Sequence, residues 1–277
     1  MHLTREHIDA YCLSLLADER SAGTISKYRR DLTAFARWLD GRAVTKESAT
    51  AWKACLLNRD YAPHTINSML AAVNGFCRFA GLPIKLKFLS IQRQIFRDSS
   101  RELTKEEYDR LLAAARESDQ ERLALIMETL CATGIRVSEL RYITVEAAQT
   151  GRTTISLKGK IRTILLPGKL CRKLMKYAKK KRTASGEVFL TKSGRAISRR
   201  QVWFELKRLC GVAGVDPDKV FPHNLRHLFA TVFYRTCKDI ARLADLLGHS
   251  SIETTRIYLA VSGAEQQRQL DRLGLVS

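Results

Sequence analysis

Residues 152–167 read RTTISLKGKIRTILLP, and this stretch decides the fold. β-Branched and basic residues alternate on both sides of Lys158-Gly159-Lys160, the pattern of two short strands joined by a tight turn with basic residues near it. Its neighbours carry helical periodicity instead. Upstream, Thr104 with Glu107 three positions later opens a helix through LLAAARESD, and QERLALIMETLCATG forms a second helix that stops at Gly134. Downstream, GKLCRKLMKYAKKK, SRRQVWFELKRLCGVAG and the run from His223 to near Leu273 also read as helix. A lone hairpin in this setting predicts a mostly helical α+β domain with a small antiparallel sheet.

Working outward, the first 84 residues predict four helices. Thr4 caps the first, Thr24 the second and Thr45 the third, while Ala62-Pro63 starts a fourth that stops at Gly81-Leu82-Pro83. Residues 85–101 have no clear period and end near Asp98-Ser99-Ser100, so they read as a linker. The chain of 277 residues is therefore mainly α: a helical N-terminal domain over 1–84, a linker over 85–101 and a second domain over 102–277.

The formal net charge is +20, from 48 Lys and Arg against 28 Asp and Glu, and it is concentrated. Residues 151–210 hold 18 basic and 2 acidic groups, a net +16. Such a block points to a polyanion, because neutralised phosphates release counterions whatever their sequence. The block alternates turns with strand-like residues and lacks a large apolar helical face, which disfavours a membrane surface. Every hydrophobic run is broken by charge before the ~18 residues a membrane span needs. The start, MHLTREHIDA, has no signal-peptide stretch. Seven cysteines stand singly with no CxxC pair, as expected of reduced core thiols in a cytoplasmic protein rather than a zinc site.

No Gly-rich phosphate loop, HExxH or GxSxG is present, and the carboxylates do not cluster at metal-binding spacing. What stands out is a set of cations, imidazoles and one tyrosine. It comprises Arg136 in TGIRVSEL, Lys158 in LKGK, His223 and Arg226 in HNLRH, His249 in LLGH, and Tyr258 nine residues later. In this order and spacing the chain resembles the tyrosine site-specific recombinases of the phage-integrase and Xer-like group. The N-terminal helices also suit that family's core-binding, SAM-like domain, so the resemblance spans nearly the whole chain.

The resemblance implies a site of Arg136, Lys158, His223, Arg226, His249 and Tyr258. Two guanidiniums can clamp the non-bridging oxygens of a phosphate through paired N–H donors, which a lysine cannot reproduce. Tyr258 is then the nucleophile. A free tyrosine, with a pKa near 10, needs a proton acceptor or a cationic site, and either His223 or His249 is a candidate. Lys158 is favoured over Lys160 as the acid that protonates the leaving 5′-oxygen. The lysines are one residue closer than the family usually has them, so the choice stays open. Glu139 is placed to orient Arg136, and His227 to support His223. Tyr234, without motif context, reads as core.

From the basic block, Arg162, Lys192, Arg195, Arg199 and Arg200 are candidates for DNA-phosphate contact. The implied reaction forms a covalent 3′-phosphotyrosine and then exchanges strands, with no metal, ATP or other cofactor required. The implied partners are double-stranded DNA with inverted-repeat core sites and a homotetramer on two such sites, with the tail after Tyr258 docking in trans through Leu270 and Leu273. The expected setting is the bacterial cytoplasm, on the nucleoid when active. A type IB topoisomerase and a DNA-binding regulator without catalysis are the alternatives. Whether 277 residues are the two-domain form or part of a longer integrase stays open.

Overall fold

The computed structural model describes residues 1–91, 99–157, 160–191, 193–258, 267–268 and 271–273. The chain divides into two compact units, Met1–Arg93 and Gln94–Ser277. The first unit holds α1 (Arg5–Ala17), α2 (Ala22–Leu39), α3 (Lys46–Asn58) and α4 (Pro63–Phe79). Thr4 and Thr45 cap α1 and α3 through the backbone N–H three residues on, and Pro63 takes the first position of α4. The cap of α2 differs from expectation: Ser21, not Thr24, holds it and accepts from the Thr24 N–H at 3.3 Å. Thr24 sits inside the first turn, its hydroxyl 3.0 Å from that of Ser21.

The aromatic stripe of these helices is core. Phe35, Trp52 and Phe76 are fully buried, with the Phe35 and Trp52 rings 4.7 Å apart. The start of the expected linker joins this unit. Asn74 brackets the backbone of Leu86, accepting from its N–H at 2.8 Å and donating to its carbonyl at 2.9 Å, and Asn67 does the same to Leu89 at 2.7 and 2.9 Å. Two amide side chains thus stand in for a neighbouring strand, which a search for helical period cannot register.

The second unit begins with a 3-10 turn at Ser99–Arg101 and α5 (Lys105–Glu117), whose Thr104–Glu107 capping box forms as expected. α6 (Glu121–Thr133) is buried on nearly every side, and Gly134 ends it in the left-handed region at φ 64°. A side chain at Gly134 would run into the Phe229 ring. A 3-10 helix (Val137–Tyr142) and α7 (Val145–Thr150) lead into the hairpin of β1 (Arg152–Leu157) and β2 (Lys160–Leu165), antiparallel with Leu157 opposite Lys160. Ile155 and Ile164 face the core while Ile161 and Leu165 are exposed. Arg162, opposite Ile155 and two residues from Ile164, falls on the inner face by strand alternation.

α8 (Gly168–Lys180) and α9 (Arg199–Ala213) complete the main core. The helical run expected from His223 onward is divided into separate helices. α10 (Pro222–Cys237) stops at Lys238 with φ 53°, α11 (Ile240–Leu247) stops at Gly248 with φ 64°, and α12 (Ile252–Thr255) runs into a 3-10 turn, Arg256–Tyr258. Asp239 and Ser251 cap the new starts. All seven cysteines are free; Cys12, Cys77 and Cys210 are buried, but Cys237 is exposed rather than core. Among the described residues no helix is long and apolar enough to cross a membrane.

Losing the true α2 cap in Ser21→Ala is expected to cost about 1 kcal/mol. Thr24→Ala should cost less, a difference that urea unfolding of the two variants would reveal.

Candidate active site

The ends of α6 and α11, the start of α10 and the turn after α12 converge on one place. The left-handed Gly134 turns the chain so that Arg136 starts the 3-10 helix with its side chain open to solvent. One turn on, Glu139 is 1% exposed; its carboxylate accepts from the Arg136 backbone N–H at 2.7 Å and from Arg136 Nη1 at 3.1 Å. Arg162 reaches the same carboxylate from β2, Nη2 donating at 2.6 Å, and its Nη1 donates to the Leu246 carbonyl at 2.6 Å. A buried carboxylate without partners would be costly, and here two guanidiniums meet it. Glu139 thus orients Arg136 as expected from its position. Arg162 is not part of an exposed phosphate-contact surface: it is turned inward, bracing the hairpin against the end of α11.

Gly248 permits that brace. A Cβ there would lie 2.6 Å from Arg162 Cδ and 2.8 Å from its Nε. The glycine also ends α11 and reverses the chain so that His249 faces inward.

HNLRH opens α10. His223, Arg226 and His227 share one helical face by their i, i+3, i+4 spacing. Leu225 is fully buried on the other side, and Asn224 anchors the helix start by donating to the Arg101 and Lys219 carbonyls at 2.7 and 2.8 Å. Arg226 is 2% exposed. Its Nη1 donates to the Gly134 carbonyl at 2.6 Å and its Nη2 to the Leu247 carbonyl at 2.7 Å. These carbonyls belong to the C-terminal ends of α6 and α11, where unpaired oxygens and the helix dipole favour a cation. Neither Glu139 nor Asp245 serves as its partner. Nη2 also lies 3.1 Å from His249 Nε2, and Tyr258 is near enough to act on the charge of the guanidinium.

Tyr258 is 4% exposed and packs with Ala230, Leu243 and Leu247. The His227 ring meets it edge-on at 4.7 Å, and the His249 ring lies parallel to it at 6.2 Å. His227 stands closer to Tyr258 than to His223, whose ring is 6.5 Å away. Tyr234 is half-buried beside the same cluster, as expected of a packing tyrosine. Thr255, which the sequence did not single out, is fully buried with its Oγ1 2.8 Å from His249 Nδ1. Its only sequence signal is its place between the LGH segment and the tyrosine.

The cations set the protonation states. Partial burial first, then Arg226 and Arg136, hold the His249 pKa down at about 4. Desolvation followed by Arg226, Arg136 and Arg199 lowers that of His223. Both imidazoles are thus biased to the neutral form. Burial, then Arg136, lowers Arg226 to about 10, so it stays charged at neutral pH.

Arg195, Arg199 and Arg200 are exposed, and Arg199 lies close enough to act on His223. Lys158 and Lys192 lie outside the described residues, as does the Lys160 side chain. Part of the basic block is committed to the fold: Lys173 pairs with Glu128 and Lys180 with Glu121, each at 2.6 Å.

Comparison with known proteins gives this geometry its context. The profile of the phage integrase family matches residues 101–265, and that of the phage integrase N-terminal SAM-like domain matches residues 8–81. The chain belongs to the phage integrase family. Among its relatives, the tyrosine recombinase XerC of Roseiflexus castenholzii is 33% identical, with 91% of this chain and 88% of the relative covered. The tyrosine recombinase XerA of Pyrococcus furiosus is 30% identical, with 99% and 96% covered. The fold matches a lambda integrase dimer bound to a core site with a TM-score of 0.73 at 18% identity, covering 92% of this chain and 94% of that one. It also matches the XerH recombinase bound to its difH substrate with a TM-score of 0.66 at 19% identity, covering 97% and 84%. As a phage integrase family member the protein is a tyrosine recombinase, an enzyme of site-specific DNA strand transfer; neither alternative reading is favoured.

Two outcomes test the site's physical account. Gly248→Ala should lose about 1–2 kcal/mol from its left-handed backbone alone, and more from the clash with Arg162; its melting temperature checks this. The folded pKa of His249 lies below the unfolded value of about 6.5, so its contribution is complete above that pH and is lost as pH falls towards about 4. Melting temperatures between pH 7 and pH 4 should fall less steeply for His249→Gln than for the parent.

Proposed function

We propose that Tyr258 is the nucleophile that cleaves DNA, and that Arg136 and Arg226 receive the scissile phosphate. The observation that carries this reading is the convergence of three groups: Arg226 Nη2 lies 3.1 Å from His249 Nε2, and the Tyr258 ring lies parallel to that of His249 at 6.2 Å. In the reaction the Tyr258 oxygen forms a bond to phosphorus, the bond to the 5′-oxygen breaks, and a 3′-phosphotyrosine remains. A 5′-hydroxyl from a second duplex reverses the step and joins the new strand. His223 or His249, neutral at working pH, takes the tyrosine proton; a lysine of the hairpin, Lys158 or Lys160, returns one to the leaving oxygen.

Charge supports this assignment. Arg136, Arg162 and Arg226 set against Glu139 leave two uncompensated positive charges, and the neutral histidines add none. A phosphodiester carries one negative charge and its five-coordinate transition state two, so the site favours the transition state over the ground state. Arg136 and His223 form the solvent-open side that a duplex meets first. Arg195, Arg199 and Arg200 extend that side as phosphate contacts, and Lys192 belongs with them in sequence.

The natural substrate is double-stranded DNA with inverted-repeat core sites, recombined by a tetramer. The tail beyond Tyr258 docks on a neighbouring subunit in trans. Within the tail, Leu273 is 59% exposed, a state suited to an anchor awaiting a partner surface, and Leu270 lies outside the described residues.

A random-sequence library of nicked duplexes, captured by denaturant-resistant attachment to the protein, supplies a substrate. Tyr258→Phe should give no attachment; attachment by that variant would remove Tyr258 from its role. Arg136→Lys should bind the captured DNA while losing about 100-fold or more of the cleavage rate, because the charge stays and the paired donors go. Deleting residues 263–277 should lower strand exchange more than DNA binding, and equal loss of both would contradict docking in trans.

A further inference from the structure

We propose that Thr255 is a positioning residue for strand transfer: it holds His249 as the Nδ1–H tautomer, with the Nε2 lone pair turned towards Arg226. The proposal rests on the reading of this site as the strand-transfer centre. The tautomer follows from donor and acceptor chemistry. A guanidinium has five N–H groups and no lone pair to offer, so it can only donate. Arg226 Nη2 lies 3.1 Å from His249 Nε2, so Nε2 must be the accepting nitrogen. A neutral imidazole then carries its one proton on Nδ1, which donates to Thr255 Oγ1 at 2.8 Å. The reverse tautomer would set N–H against N–H on the arginine side. Arg226 therefore selects the tautomer, and Thr255 secures it from the opposite edge of the ring.

Burial gives the contact its weight. Thr255 is 0% exposed, so no water can replace its hydroxyl once it is removed, and the Nδ1–H would be left unpaired. Chain placement extends the effect. Thr255 ends α12, and Tyr258 follows three residues later on the 3-10 turn. One hydrogen bond thus ties the LGH segment to the segment that carries the nucleophile. The parallel alignment of the His249 and Tyr258 rings, 8° apart, fits such a tie. In the DNA-free site both ring nitrogens are thus committed, Nε2 to Arg226 and Nδ1 to Thr255, which fixes how the ring stands beside Tyr258. The electrostatics agree, since burial and the surrounding arginines keep the ring neutral well below pH 7.

The test uses the full chain with Thr255→Val, which keeps shape but cannot accept a hydrogen bond, and Thr255→Ser, which keeps the hydroxyl. On a captured nicked duplex at saturating concentration, Thr255→Val should form the covalent adduct about tenfold or more slowly, while its DNA affinity stays within about twofold. Thr255→Ser should restore most of the rate. Independently of activity, nitrogen NMR of the DNA-free parent should show His249 Nδ1 protonated and Nε2 bare, with the tautomers mixed in Thr255→Val. Parent-like cleavage by the Val variant, an Nε2–H tautomer in the parent, or failure of Ser to rescue a folded protein would each overturn the proposal. Because the NMR arm uses no DNA, it separates this proposal from the strand-transfer reading, whose own failure would be a parent chain that captures no duplex. It also holds if Thr255→Val does not fold.

Discussion

The buried carboxylate of Glu139, shared between Arg136 and Arg162, is the constraint on which the catalytic domain depends. It draws the start of a 3-10 helix and the inner face of a hairpin strand to one point, and Arg162 passes the constraint on to the end of α11. Removing the carboxylate would leave two guanidiniums facing each other with less than their charge balanced, the case in which breaking a buried pair is most destabilising. The hairpin and the LGH segment are therefore held in register by charge as well as by packing.

Arg226 is stabilised by a different means. Among the described residues no acidic side chain pairs with it; two helix C-termini meet it with carbonyl oxygens, which offer partial charge rather than a full one. A cation met in this way remains able to attract an anion. Burial first, and then the same cation, bias the adjacent imidazoles to the neutral form. Two helices, α6 and α11, end against it.

Much of this was legible in the sequence. The hairpin, the caps at Thr4 and Thr45, the capping box at Thr104 and the stop at Gly134 all follow from local chemistry, and the spacing of Arg136, His223, Arg226, His249 and Tyr258 marks the candidate site. What was not legible depends on who meets whom. Arg162 sits in a basic run and reads as surface, yet strand register places it on the face of Ile155 and Ile164. Thr255 has no motif of its own, and only the fold brings its hydroxyl to His249. Residues 85–89 lack a helical period because their partners are two asparagine side chains. The helical run expected from His223 is divided because Asp239 and Ser251 cap new starts inside it, and the break at Gly248 places His249 beside Arg226.

The central claim is that the site is a cationic box matched to the charge of a reacting phosphate. The most direct measurement compares adduct formation by the parent and Arg136→Ala on two duplexes, one with the ordinary scissile phosphate and one with a neutral methylphosphonate there. With less negative charge to stabilise, the variant should recover much of its lost rate on the neutral linkage. Equal impairment of Arg136→Ala on both duplexes would contradict the account.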